Sequence, residues 1–261
     1  MSSHAFFADS ATMTRRSLRQ TVRYPVMMIS SLVVPIILFL LFAGVFSGSM
    51  KASVAAFAPG TSYVDYIVPG IVLMTVGYGS STTALRVNSD MTSGIMARLR
   101  TMRITRTAVL TGHVIGAVIR TLIAISLVLC VAALSGLHTR ADALAWLGLL
   151  GVISLLTIAI TWLSVAIGLA ANKPEGTSGF TLLVQVLPFI SSAFVPIGSL
   201  SGALRWFARN EPFTPIIDTI RGLLLGMPIG HSGWVAVAWC SAMALGGYFW
   251  SRALFNRGPS R

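Results

Sequence analysis

LAWLGLLGVISLLTIAITWLSVAIGLAA, residues 144–171, runs for 28 residues without a charge. An apolar helix of about 20 residues crosses the hydrocarbon core of a bilayer. This stretch is therefore read as a membrane-crossing helix, long enough to tilt or to project beyond the lipid. Working outward, five more stretches have the same character. Val26–Phe46 is uncharged, and Ala108–Leu134 carries one arginine, Arg120. Tyr66–Leu85 contains Pro69, Gly70, Gly77 and Gly79, which predicts a kinked or closely packed helix. Phe180–Val195 is short and interrupted by Pro188, and Trp234–Leu254 closes the set. The first stretch follows about 25 polar residues and exceeds a signal-peptide apolar region, so it is expected to be retained.

The composition agrees. Of 261 residues, 55% are hydrophobic and 10% charged, with a mean hydropathy of +0.81. A soluble domain carries roughly 25% charged residues, so this chain lacks the charge to cover a water-facing surface. The net charge of +12 does not indicate nucleic acid. The basic residues flank apolar stretches, where the cytoplasmic bias of Lys and Arg and the anionic headgroups account for them.

The arginines occupy alternate gaps. Arg15, Arg16, Arg19 and Arg23 precede the first stretch; Arg86, Arg98, Arg100, Arg103 and Arg106 lie between the second and third; Lys173 lies between the fourth and fifth; Arg252, Arg257 and Arg261 end the chain. The opposite side has Lys51, Arg140, Arg205, Arg209 and Arg221. Thirteen against five predicts both termini in the cytoplasm. The expected architecture is all-α and integral to the membrane, with six crossing helices, N-in and C-in. Residues 1–25 form an interfacial segment and residues 26–261 one transmembrane domain.

Three segments outside the spans have helical periodicity. Arg15, Arg19 and Arg23 recur every fourth residue, on a different face from Leu18 and Val22. Such a helix can lie among headgroups, or the segment can be a solvated basic tail. Between the second and third spans, Ser89 or Asp90 can cap a helix start. Ile95, Leu99 and Met102 then form one stripe, with Arg98, Arg100, Arg103 and Arg106 mostly off it. That stripe can rest on lipid or dock into a groove of a soluble partner. After the fifth span, Thr214 can cap a helix with Pro215 in its first turn. Ile216, Ile217, Ile220, Leu223 and Leu224 share its apolar face, and Asp218 and Arg221 are spaced to pair on the polar side.

Two of these segments carry a resemblance. SGIMARLRTMRITRTAVLTGH (93–113) resembles the cytoplasmic loop of type-2 ABC transporter permeases, most closely the daunorubicin-resistance and antibiotic-exporter branch. NEPFTPIIDTIRGLLLG (210–226) is similar to the segment before the last span of that branch. Two departures stand out: Arg103 sits where relatives often have proline, and Glu211 separates Asn210 from Pro212. The resemblance implies a permease subunit that binds a separate ATP-hydrolysing subunit, which holds ATP and Mg. It implies a coupling helix at Ile95, Arg98, Leu99, Arg100 and Met102, and contact of the N-terminal helix with the same subunit. It also implies external re-entrant helices between spans 5 and 6, which would include Ile217, Asp218, Ile220 and Arg221. A second permease copy or a related permease would complete the path, in a bacterial cell membrane. The cargo would be an amphipathic drug, antibiotic or lipid.

The remaining chemistry is sparse. The chain's two lysines precede Ala52 and Pro174, so no Gly-Lys-Ser/Thr nucleotide loop exists. The four histidines have no metal spacing, and Cys130 and Cys240 read as apolar packing residues. Arg120 lies within the third span; it is expected to face a helix interior or a water-filled path, or to snorkel to phosphate. A self-sufficient channel or secondary carrier is the rival class. Its signs, acidic residues within spans or paired broken helices, are weak. No catalytic constellation supports an intramembrane enzyme.

Overall fold

A computed structural model describes residues 12, 14–15, 25–57, 59–93, 106–171 and 173–257. Among the described residues from 25 onward there are nine α-helices and no strand. They are α1 Pro25–Leu41, α2 Ser47–Phe57, α3 Tyr63–Thr92, α4 Arg106–Leu134, α5 Ala143–Ala170, α6 Ser178–Ile190, α7 Gly202–Asn210, α8 Phe213–Leu225 and α9 Ser232–Arg257. Among the described residues, three helical segments are both long and apolar enough to cross a membrane: Leu32–Ala56, Leu110–Leu134 and Ala143–Ala170. The 30-residue α3 and the 26-residue α9 are also long, but more polar.

The first span is longer than expected. A π-helical turn, Phe42–Phe46, joins α1 to α2, so the Ser/Gly-rich stretch read as a gap is helical through Phe57. Ser49 returns its hydroxyl to the Phe46 carbonyl at 3.2 Å, and Val54 is buried. The wider turn places Phe42 on Phe194, with ring centroids 4.6 Å apart. Pro35 lies within α1 without ending it.

The central helix is α3, most of whose residues are buried. Its start is a capping box: Ser62 Oγ accepts from the Asp65 N–H, and Asp65 Oδ2 accepts from the Ser62 N–H, both at 3.1 Å. Its far end overturns one expectation. Ser89 and Asp90 do not start a new helix; they sit in the last turns of α3. The run Ser81–Thr83 and Thr92 all donate hydroxyls to carbonyls three or four residues back, so these polar residues satisfy themselves within the helix.

α5 packs against α3 on one side and most extensively against α9 on another. Its start is capped by Asp142, whose Oδ1 accepts from the Ala145 N–H at 2.7 Å. The fifth stretch is shorter than expected. Helix α6 stops at Ile190, two residues after Pro188, and Ser191–Val195 is irregular. The Pro188 carbonyl accepts from Ser191 Oγ at 2.7 Å, which closes the chain into a turn.

Candidate functional site

Polar side chains gather at both ends of α3. At the Ser62 end, α8 and the irregular segment after α6 press on its first turns. Helix α8 does not start at a Thr214 cap; it begins at Phe213, where Glu211 receives its free N–H groups. Glu211 Oε2 accepts from Phe213 at 2.8 Å and Oε1 from Thr214 at 2.5 Å. Burial pushes the Glu211 carboxyl above its usual range, and these donors pull against that shift. The residue that breaks the Asn-Pro pair of the resembled motif is thus the helix cap. Sequence periodicity missed it because the cap lies two residues before Phe213. At its other end Gly226 adopts φ +66, a left-handed turn that favours glycine.

Ile217 and Ile220 are fully buried within the protein. Arg221, expected on a polar side, is also buried, with only 3% of its side chain exposed. Its Nη1 donates to Asp218 Oδ1 at 2.7 Å and its Nη2 to the Ser192 carbonyl at 2.6 Å. The guanidinium lies 4.0 Å from the centre of the Tyr66 ring. Ser192 Oγ donates to the same Asp218 oxygen at 2.9 Å, and Tyr66 OH donates to the Ser192 carbonyl at 3.0 Å. Helical periodicity placed Asp218 and Arg221 on one side correctly, but could not show that α3 and Ser192 cover that side. The loop before α5 completes the arrangement: Asp65 Oδ1 accepts from the His138 N–H at 2.8 Å, and the Arg140 N–H donates to the Leu224 carbonyl at 3.0 Å.

At the Thr92 end, α3 faces α4. A Cβ at Gly79 would come within 2.5 Å of Thr121 Oγ1, so only glycine admits this approach. Two to three turns on, Asp90 Oδ2 lies 3.4 Å from His113 Nε2. Arg86 and Arg120 fall between these contacts, both half-buried. Asn88 Nδ2 donates to the carbonyls of Gly168 and Ala171, at 3.2 and 2.5 Å, and ties the end of α5 to α3. The expected coupling residues Ile95, Arg98, Leu99, Arg100 and Met102 lie outside the described residues, as do Arg19 and Arg23. Arg15 is helical and exposed.

Among the described residues the protein is all-helical, with three helical segments long and apolar enough to cross a membrane. The family model of the ABC-2 type transporter matches residues 10–225, and the chain belongs to that family. It is the permease component, not the ATPase. The chain is 27% identical over 223 residues to the daunorubicin resistance ABC transporter permease protein DrrB1 of Streptomyces coeruleorubidus, covering 84% of this chain and 76% of that protein. It is 26% identical over 224 residues to the probable doxorubicin resistance ABC transporter permease protein DrrC of Mycobacterium tuberculosis, covering 86% and 79%. Nodulation protein J of Rhizobium meliloti is 29% identical over 206 residues, covering 76% and 75%.

Proposed function

We propose that this permease exports an amphipathic drug, antibiotic or lipid across a bacterial cell membrane, driven by ATP and Mg held in a separate ATP-binding subunit. The observation that carries this reading is the family match over residues 10–225, with two relatives named as drug-resistance permeases. Two copies, or this chain and a related permease, enclose the path, and lipid surrounds them. Residues 1–25 lie along the inner surface, and residues 26–261 form a six-span domain with both termini inside. Ile95, Arg98, Leu99, Arg100 and Met102 dock on the ATP-binding subunit, and its motion reaches the core through α3 and α4. The α7–α8 segment, with Ile217, Asp218, Ile220 and Arg221, lies at the outer side.

Six spans require α6 to serve as one. Its 13 residues rise about 20 Å at 1.5 Å each, short of the roughly 30 Å hydrocarbon core. The irregular Ser191–Val195 completes the crossing on this reading. Non-helical backbone survives at that depth only where protein covers it. Here Arg221 and Tyr66 bond the Ser192 carbonyl, and Tyr63 OH bonds that of Phe194 at 3.4 Å.

The test is efflux of a fluorescent amphipathic drug from cells expressing the chain with and without an ATP-binding-cassette subunit. Efflux should require both. Efflux by the chain alone would make it a secondary carrier. Cysteine labelling from outside should reach Ser199→Cys and Ser232→Cys but not Ser260→Cys.

A further inference from the structure

Helix α6 is held along one face by α3. A Cβ at Gly77 of α3 would lie 3.1 Å from Val184 Cγ1, and Val184 and Pro188 are buried. Leu182, Val186 and Phe189 are exposed on the other side, and Gln185, one turn before Phe189, is half-buried. Between Thr181 and Ser191, Gln185 is the one polar side chain. The hydroxyls at either end close on the backbone: Thr181 Oγ1 donates to the Thr177 carbonyl at 3.1 Å, and Ser191 Oγ to that of Pro188 at 2.7 Å. The Gln185 amide carries two donor hydrogens and an acceptor, yet makes no hydrogen bond with the described residues. A polar group left so within a span is costly, and an acyl chain offers it nothing.

Phe189 is the open end of an aromatic platform. Its ring stacks on Phe194, with centroids 5.0 Å and planes 20° apart, and Phe194 stacks on Phe42 at 4.6 Å and 21°. Phe46, at the end of the π-helical turn, lies 5.3 Å from Phe42. Phe194 is buried and its carbonyl accepts from Tyr63 OH, so the platform is fixed in place. Phe189 itself is 43% exposed, and one more flat ring can extend the stack. Gln185 and Phe189 are four residues apart, about 6 Å along the helix, so one molecule can touch both. No charge occurs in residues 26–50 or 176–204, which supply these side chains, so the surface suits a neutral group.

We propose that Gln185 and Phe189 form a cargo subsite for a neutral, ring-bearing amphipath. The ring stacks on Phe189, and a hydroxyl or carbonyl on it bonds the Gln185 amide. The inference rests on the exporter reading and names the part of the cargo that is recognised.

The test uses the chain assembled with its ATP-binding subunit in phosphatidylcholine nanodiscs. Three neutral probes separate the two contacts: acetylnaphthalene has ring and carbonyl, ethylnaphthalene the ring alone, and a long-chain alkyl methyl ketone the carbonyl alone. The reading is the concentration that half-stimulates ATP hydrolysis, corrected for partition into lipid. In wild type, acetylnaphthalene should act at about fivefold lower concentration than ethylnaphthalene, the scale of one neutral hydrogen bond. It should outdo the alkyl ketone by about fivefold, the scale of one ring contact. Gln185→Met, which keeps the volume, should erase the first difference and keep the second. Phe189→Leu should do the reverse, and Phe189→Trp should keep both. A carbonyl preference that survives Gln185→Met, or a ring preference that survives Phe189→Leu, would overturn the assigned residue. A large fall in the unfolding midpoint of Gln185→Met would place protein, this chain or a second copy, against the amide and overturn the subsite. If no probe stimulates a complex that still expels the fluorescent drug, the neutral-ring class is wrong and the exporter reading stands. Loss of ATP-dependent efflux itself overturns both.

Discussion

The two ends of α3 hold buried arginines on opposite terms. At the Ser62 end, Arg221 is enclosed by Asp218, the Ser192 carbonyl and the Tyr66 ring. Its charge is matched by one carboxylate within 2.7 Å, and its donors point at atoms of the protein. At the Thr92 end, Asp90 lies 3.4 Å from His113, and Arg86 and Arg120 are half-buried on the same two helices. The enclosed cluster ties α8 and the segment after α6 to α3, whereas the partly open one lies along the α3–α4 seam.

Removing Arg221 should break this comparison most severely. Arg221→Met leaves Asp218 beside an apolar group and the Ser192 carbonyl without its strongest donor. Losing one partner of a buried pair costs about 3–5 kcal/mol. Asp218 is one-third exposed, so the lower end is expected. Thermal unfolding of the detergent-purified chain should show a large loss, and Arg221→Lys should recover part of it. An unchanged midpoint would mean that the cluster holds nothing together.

The next largest effect falls on the segment between α3 and α4. Reversing both charges in Arg98→Glu with Arg100→Glu should lower recovery of the ATP-binding subunit in co-purification by roughly tenfold, as expected for one or two charge-assisted contacts. Membrane insertion should be normal, because neither residue lies in a span. Equal recovery and equal drug-stimulated ATP hydrolysis would remove this segment from the coupling role.

Glu211 gives a smaller, purely architectural effect at the Ser62 end. Glu211→Ala frees two N–H groups at the start of α8 and should cost about 1–2 kcal/mol, read as a lower unfolding midpoint. Glu211→Gln retains an acceptor and should cost less. If alanine and glutamine behave alike, the side-chain oxygens do not cap α8.

Much of this protein was legible because bilayer thickness and helix period act on the sequence directly. The uncharged residues 144–171 reappear within one residue as α5, and residues 108–134 lie inside α4. The period of α8 likewise placed Asp218 and Arg221 three residues apart and able to pair. What failed to show was tertiary. Ser89 and Asp90 carry the chemistry of helix starters, yet remain in α3 because Asp90 meets His113 and neighbouring hydroxyls bond back to the helix. Arg221 looked solvent-facing because its covering residues, Tyr66 and Ser192, lie 155 and 29 positions away. Arg120 stood out as an arginine within a span, but Arg86 looked like a loop residue until α3 proved to continue to Thr92.

The finest test applies one kind of substitution to both ends. Asp218→Asn removes the charge matching Arg221 and should destabilise the chain by a few kcal/mol, as expected for a broken buried pair. Asp90→Asn removes the carboxylate that meets His113. The side chains of Asp90 and His113 are 14% and 16% exposed and 3.4 Å apart, and an amide can still bond the imidazole. The stability cost should stay near 1 kcal/mol. The measurement is the unfolding midpoint of both variants in the same preparation. A large stability loss in Asp90→Asn would make the two ends alike, with the Asp90–His113 contact as firm a tie as Asp218–Arg221.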